Sequence, residues 1–137
     1  MLPILFATTT TPPPAEIARF NHALDEATRS MRNAAVMALW EDEGVDLLPG
    51  QPALVGKKAI AKFLDDATAG MSGAKMVTFE FQCYDIRVDG RTATEWCTEH
   101  QVVRFAGLDI TVYSSDAKRA PGHTVPAGLT GAAVGGL

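Results

Sequence analysis

The apolar residues of this chain change their period halfway along it, and that change limits the folds open to it. In the first half they recur at three- and four-residue spacing: Ile17, Phe20, Leu24, Ala27 and Met31 form one stripe, with Arg19, Asp25, Glu26 and Arg29 opposite. From Val77 they alternate instead, with Val77, Phe79, Phe81 and Cys83 interleaved by Thr78, Glu80 and Gln82. Neither a one-sided helix nor a one-faced strand buries its apolar side alone, so helices must collect on one face of a sheet, an α+β arrangement.

The local signals fill in the order of elements. The first stripe predicts a helix from about Pro14 to Met31. Asn33 reads as the N-cap of a second, short helix with Val36, Leu39 and Trp40 on its apolar side, ending near Glu43 and Gly44, where Gly44 suits a left-handed C-cap. VDLL reads as a short strand and PGQP as a turn. Gly56 then opens a third amphipathic helix carrying Ile60, Phe63, Leu64 and Ala67. In the second half the apolar parity flips to Tyr84, Ile86 and Val88, which predicts a bulge near Cys83 and Tyr84. Asp89-Gly90 is a hairpin signal, its partner strand running from Thr92 to Phe105, and LDITVY offers one more strand. Residues 15–113 thus read as one domain. TTTTPPP makes residues 1–14 a flexible arm, and the Gly/Ala/Pro-rich residues 114–137 read as a poorly ordered tail.

Composition narrows the function classes. A chain of 137 residues buries roughly two thirds of its unfolded surface, enough for a core and a pocket. The net charge is −4, with 16 acidic against 12 basic residues and no basic run longer than Lys57-Lys58, so no nucleic-acid partner is expected. No apolar run approaches the ~20 residues of a membrane span, and MLPILFA lacks the basic flank of a signal peptide, so no membrane partner is expected either. Cys83 and Cys97 lack zinc-ligand spacing. They read as buried thiols in a reducing, cytoplasmic setting, with a disulfide between neighbouring strands as the alternative.

The run ALWEDEGVDLLPGQPALVGKKAIAKFL, from Ala38, and the later FEFQCYDIRVDGRTATEW resemble the SnoaL-like, or DUF4440-type, branch of the NTF2-like superfamily, relatives of ketosteroid isomerase. The resemblance spans about Glu16 to Phe105. It implies a cone-shaped barrel in which three N-terminal helices pack on a strongly bent, mainly antiparallel sheet, with a pocket between them and dimers formed through the outer sheet face. Members close the sheet with a further strand bearing a Gly and an aromatic. Nothing of that kind follows Tyr113, which suggests an ancestral reading frame lost near Ser114 and an exposed sheet edge.

The resemblance does not carry the isomerase's chemistry across. Aligned on Trp40-Glu41-Asp42, the general base of that enzyme falls on Leu48, which takes no proton, and the helix-one tyrosine falls near Phe20, which has no hydroxyl. On the long strand, Ala93, Glu95, Cys97 and Glu99 share one face and Thr94, Trp96, Thr98 and His100 the other. The family pattern makes the first face concave. Glu95 and Glu99 are therefore the candidate acid-base groups, in a pocket lined by Phe20, Trp40, Asp46, Phe63, Phe79 and Cys97, where desolvation raises carboxyl pKa values. Trp96 and His100 fall on the convex face as interface residues. Glu41, Asp42 and Glu43 point around a helix end and do not converge, so no metal is expected, nor any other cofactor. The expectation is a pocket protein that binds a small apolar molecule and forms a homodimer. The alternative is a cofactor-independent isomerase, lyase or hydrolase using the pocket carboxylates.

Overall fold

A computed structural model describes residues 14–48, 50–89, 92–114 and 122–126. Helix α1 spans Ala15–Arg29 and buries Ile17, Phe20 and Ala27, the stripe read from the sequence. Pro14 stands just before it, where its missing donor costs nothing, and its carbonyl accepts from the Ala18 amide at 3.0 Å. The helix stops at Ser30, and Met31 turns the chain with a φ of 55°.

The second helix departs from expectation in three ways. Helix α2, Asn33–Met37, has only 5 residues and is capped by Arg32, so Asn33 is its first helical residue and not its cap. The Asn33 side chain instead donates to Asp65 Oδ1 and Thr68 Oγ1, both at 2.9 Å, tying α2 to the third helix. Gly44 is not left-handed. Its constraint is contact, since a Cβ there would lie 2.7 Å from Trp40 Cε3. The chain then forms β1, Val45–Asp46, antiparallel to β2, Leu54–Val55. Gly56, at φ 90°, donates to the Gly44 carbonyl at 2.7 Å, and Lys57 donates to the Asp42 carbonyl at 2.9 Å. These bonds lock the entry to α3, Lys57–Thr68, which buries Ile60.

The sheet is built on β3, Lys75–Asp89, paired antiparallel with β4, Thr92–Phe105. The register shifts between Tyr84 and Arg87, beside the expected bulge, and Asp85 there takes a φ of 52°. The Gly90 of the hairpin signal lies outside the described residues. A second hairpin turns at Ala106 and Gly107, both at positive φ as a two-residue primed turn requires, and leads to β5, Leu108–Ser114. The tail is not wholly irregular: β6, Gly122–Pro126, pairs with β4 from Trp96 to Thr92, while β5 pairs with β4 from His100 to Phe105. Two short strands thus share one edge of β4. Over residues 122–126 the expected irregular tail is thus a strand, and the edge of β4 from Thr92 to Trp96, expected to be open, is paired.

Helix α1 lies against this sheet. Ile17, Phe20 and Ala93 form the buried cluster, with Leu24, Leu39 and Ile86 packed around it. Cys83 and Cys97 face each other across the β3–β4 register and form a disulfide. The reading of two free thiols is therefore corrected, and with it the ground on which a cytoplasmic setting rested. No described helix is long and apolar enough to cross a membrane.

Candidate functional site

Two places concentrate the chemistry-bearing side chains. The first is inside. Along β4 the residues Ala93, Glu95 and Cys97 are buried while Trp96 between them is exposed, the alternation of a strand with one face on the core. Glu95 is 0% exposed. Its Oε2 accepts a hydrogen bond of 2.9 Å from Nδ2 of Asn21 on α1. Asn21 follows Ile17 by four residues and so rides on the apolar face of its helix, a polar residue brought to the core by helical period. Its Oδ1 is buried and has no hydrogen-bond partner among the described residues. The Glu95 carboxylate lies with both disulfide sulfurs in a cluster whose atoms are all within 4.8 Å of one another.

The second place is an open groove of about 540 Å³ where the last turns of α1 meet the sheet. Its floor is the stacked pair Phe79 and Phe81, ring centroids 5.8 Å apart and 13° from coplanar. Arg29 closes the helix side. Its Nη2 donates to the Phe79 carbonyl at 2.6 Å, its Nε to Asp25 at 2.8 Å, and its guanidinium carbon sits 5.3 Å from the Phe79 ring centroid. Glu99 and His100 line the opposite wall, and Gln101 donates to Glu99 Oε1.

The residues expected in a single pocket are thus divided. Phe79 and Glu99 line the groove; Phe20, Trp40, Asp46, Phe63, Glu95 and Cys97 are not part of its lining. Phe20 belongs to the buried cluster, Trp40 is half-buried against Gly44, Phe63 is half-buried on α3, and Cys97 is in the disulfide. Asp46 is half-buried on β1. Desolvation lifts its pKa above the ordinary carboxylate value, and a hydrogen bond from the Leu47 backbone pulls the other way. Trp96 is 40% exposed, while His100 is half-buried and contributes to the groove. Asn21, Asp25 and Arg29 were not among the expected site residues. Asn21 left a signal, being a polar residue at an apolar-stripe position, whereas Asp25 and Arg29 looked like ordinary solvated helix charges.

No family model and no curated protein matches the sequence. Solved structures do. A ketosteroid isomerase-like protein from Erwinia carotovora atroseptica is 18% identical with a TM-score of 0.57, covering 80% of this chain and 78% of that one. A protein of the NTF2-like family from Streptomyces avermitilis is 16% identical with a TM-score of 0.58, covering 89% and 95%. A structure from Catenulispora acidiphila in complex with S-DNPA is 13% identical with a TM-score of 0.62, covering 88% and 87%. The helices on one face of an antiparallel sheet, in this order and over this length, give the chain the NTF2-like, ketosteroid isomerase-like fold.

Proposed function

We propose that this is a pocket protein that binds a small, mainly apolar molecule in the groove over Phe79 and Phe81, without the chemistry of ketosteroid isomerase. The observation that carries the reading is the stacked aromatic floor within a groove of about 540 Å³. That volume lies in the range of small-ligand sites, roughly 300–1,000 Å³, and the half-buried Phe81, backed by the buried Phe79, is the apolar contact for a guest whose polar groups meet the charged and polar residues around it. Arg29 and Glu99 at the walls supply charges that orient a polar end. The position aligned with the isomerase's base is Leu48, which has no proton-accepting atom. A structure of the same fold, from Catenulispora acidiphila, is in complex with S-DNPA. The test is a titration with 2-naphthol followed by amide NMR shifts. Saturable shifts at Phe79, Phe81, Glu99 and His100, lost in Phe81→Ala, support it; shifts elsewhere, or none that saturate, refute it.

The alternative reading is a cofactor-independent isomerase, lyase or hydrolase. Its support is the carboxylate of Glu99, which shares its face of the sheet with its register partner Phe81 and lines the groove, where it can act as an acid or base on a guest. Glu95 enters this reading only through motion, because it lies beneath Asn21 and outside the groove lining. Loss of turnover in Glu99→Gln with ligand binding retained would favour it.

The same proposal includes a homodimer through the outer sheet face. Tyr84 and Trp96 are register partners there, each 40% exposed, and paired aromatics of that kind are common at interfaces. Light scattering on the native chain and on Trp96→Glu tests it, a monomer in both counting against the dimer. A cytoplasmic setting remains part of the reading only if the Cys83–Cys97 bond is reduced in the cell, since disulfides persist chiefly in oxidising compartments; the thiol state in freshly lysed cells decides it.

A further inference from the structure

We propose that Cys83, Cys97 and Glu95 form a divalent-metal site, selective for zinc, that exists only when the disulfide is reduced. The sequence offers no zinc motif, since the two cysteines are on different strands and the carboxylate is two residues from one of them. The register supplies what the spacing does not. Cys83 stands directly opposite Cys97, and Glu95 shares the inner face of β4 with Cys97. The three potential ligand atoms lie within 4.8 Å of one another.

A tetrahedral zinc with Zn–S of about 2.3 Å and Zn–O of about 2.0 Å needs neighbouring ligand atoms roughly 3.3–3.8 Å apart. A tetrahedral sulfur–oxygen pair is about 3.5 Å apart, so the carboxylate closes by at most about 1.3 Å from the 4.8 Å limit, and the two sulfurs, once unbonded, separate by rotation about their χ1 bonds. Asn21 completes the argument. Its Nδ2 holds Glu95 in place as an outer-shell partner of the kind that orients metal ligands. Its Oδ1 is buried and without a partner among the described residues, an oxygen acceptor on the same amide that holds Glu95, which a water completing the metal's fourth position could satisfy. The ligand set of two sulfurs and oxygens favours zinc over magnesium or calcium, which take oxygen ligands alone.

The switch balances chemically. A dithiol reductant gives two electrons and two protons to the S–S bond, becomes a cyclic disulfide and leaves two thiols. Zinc then displaces one proton from each thiol to solvent, and the two thiolates match its charge. Cys83 is the less buried of the two cysteines, so its side is the one from which the reductant approaches.

The experiment is a Co²⁺ titration of the full chain under argon, with and without prior reduction, followed by X-ray absorption on the zinc-loaded reduced chain. The expected result is one equivalent bound in the reduced chain with thiolate-to-cobalt charge-transfer bands, none in the oxidised chain, and affinity at least ~10-fold weaker in Glu95→Gln. X-ray absorption on the native chain needs no variant to fold, and should give two sulfurs at about 2.3 Å with lighter ligands at about 2.0 Å. No saturable binding on reduction, unchanged affinity in a folded Glu95→Gln, or a four-sulfur shell bridging two chains would each overturn the proposal.

Discussion

Breaking the Cys83–Cys97 bond is the perturbation whose size follows most directly from the fold. The bond closes a loop with a sequence separation of 14. In the chain-entropy account a loop of that length removes about 3 kcal/mol of freedom from the unfolded state at 25 °C. The β3–β4 hairpin is itself held by register pairing on both sides of the cysteines, so the folded state has little to lose when the bond opens. The loss should therefore fall almost wholly on the unfolded side. Urea unfolding of the full chain, oxidised and then reduced with a phosphine in the presence of a chelator, measures it. With a slope of about 1.5 kcal/mol/M, 3 kcal/mol lowers the midpoint by about 2 M, and the slope itself rises slightly because the reduced unfolded chain expands. Replacing the chelator by zinc at 100 times its dissociation constant returns about 2.7 kcal/mol if the metal site forms. A difference between oxidised and reduced chains below about 1 kcal/mol would refute the reasoning, since it would mean that the hairpin persists in the unfolded ensemble or that the bond stresses the native sheet.

Three further outcomes are expected. Asp46 has a folded-state pKa above its ordinary value of 3.8, so the folded chain holds that proton to higher pH than the unfolded one does. The penalty is absent below about pH 3.8 and grows as pH rises through the raised pKa. Asp46→Asn should therefore be the more stable chain at neutral pH, the gap closing by about pH 4, and melting curves across pH check it. Gly44→Ala places a Cβ 2.7 Å from Trp40 Cε3 and 3.1 Å from the Glu41 carbonyl, so the ring must move. A loss of about 1–3 kcal/mol and a changed near-ultraviolet dichroism of Trp40 are expected. Asn21→Leu removes the 2.9 Å hydrogen bond from the Asn21 amide to buried Glu95 and should cost about 1–3 kcal/mol in the same urea assay.

How much of this was legible in the sequence differs by element, and the reasons are physical. Helix α1 and the one-faced alternation of β4 were readable because each has a long apolar pattern of a single period. The end of α2 was not, because AAVMALW has helix-forming residues throughout and what stops it is tertiary: Trp40 folds over Gly44, and Asn33 is drawn to α3. The disulfide was hidden by one residue of register. Pairing that starts at Asp89 and Thr92 without interruption would set Cys97 opposite Tyr84, and only the shift between Tyr84 and Arg87 brings Cys83 there. The bulge was visible as a parity flip, but its effect on the cysteines depends on which strand carries the extra residue. Strand β6 was illegible for a different reason. GHTVP has a glycine, a proline and little apolar area, so it becomes a strand only because β4 offers an unpaired edge from Thr92 to Trp96.

The two glutamates on β4 show how far a shared face can diverge. Glu95 and Glu99 are on the same side of one strand and looked equivalent from their spacing. Asn21 on α1 donates to Glu95, while Asp25 and Arg29, further along the same helix, border the open groove that Glu99 also lines. A buried carboxylate costs several kcal/mol to desolvate unless its surroundings compensate, as the Asn21 amide does in part here. Glu95 lies with an amide and two sulfurs beside it, the setting of the proposed metal site, whereas Glu99, at the wall of an open groove, can meet a guest without any rearrangement. The comparison of Glu95→Gln and Glu99→Gln therefore separates the two sites. Metal affinity of the reduced chain should fall only in the first, and binding of a groove ligand should change only in the second. A variant that altered both readouts equally would mean that groove and cluster are one site, joined by movement of α1.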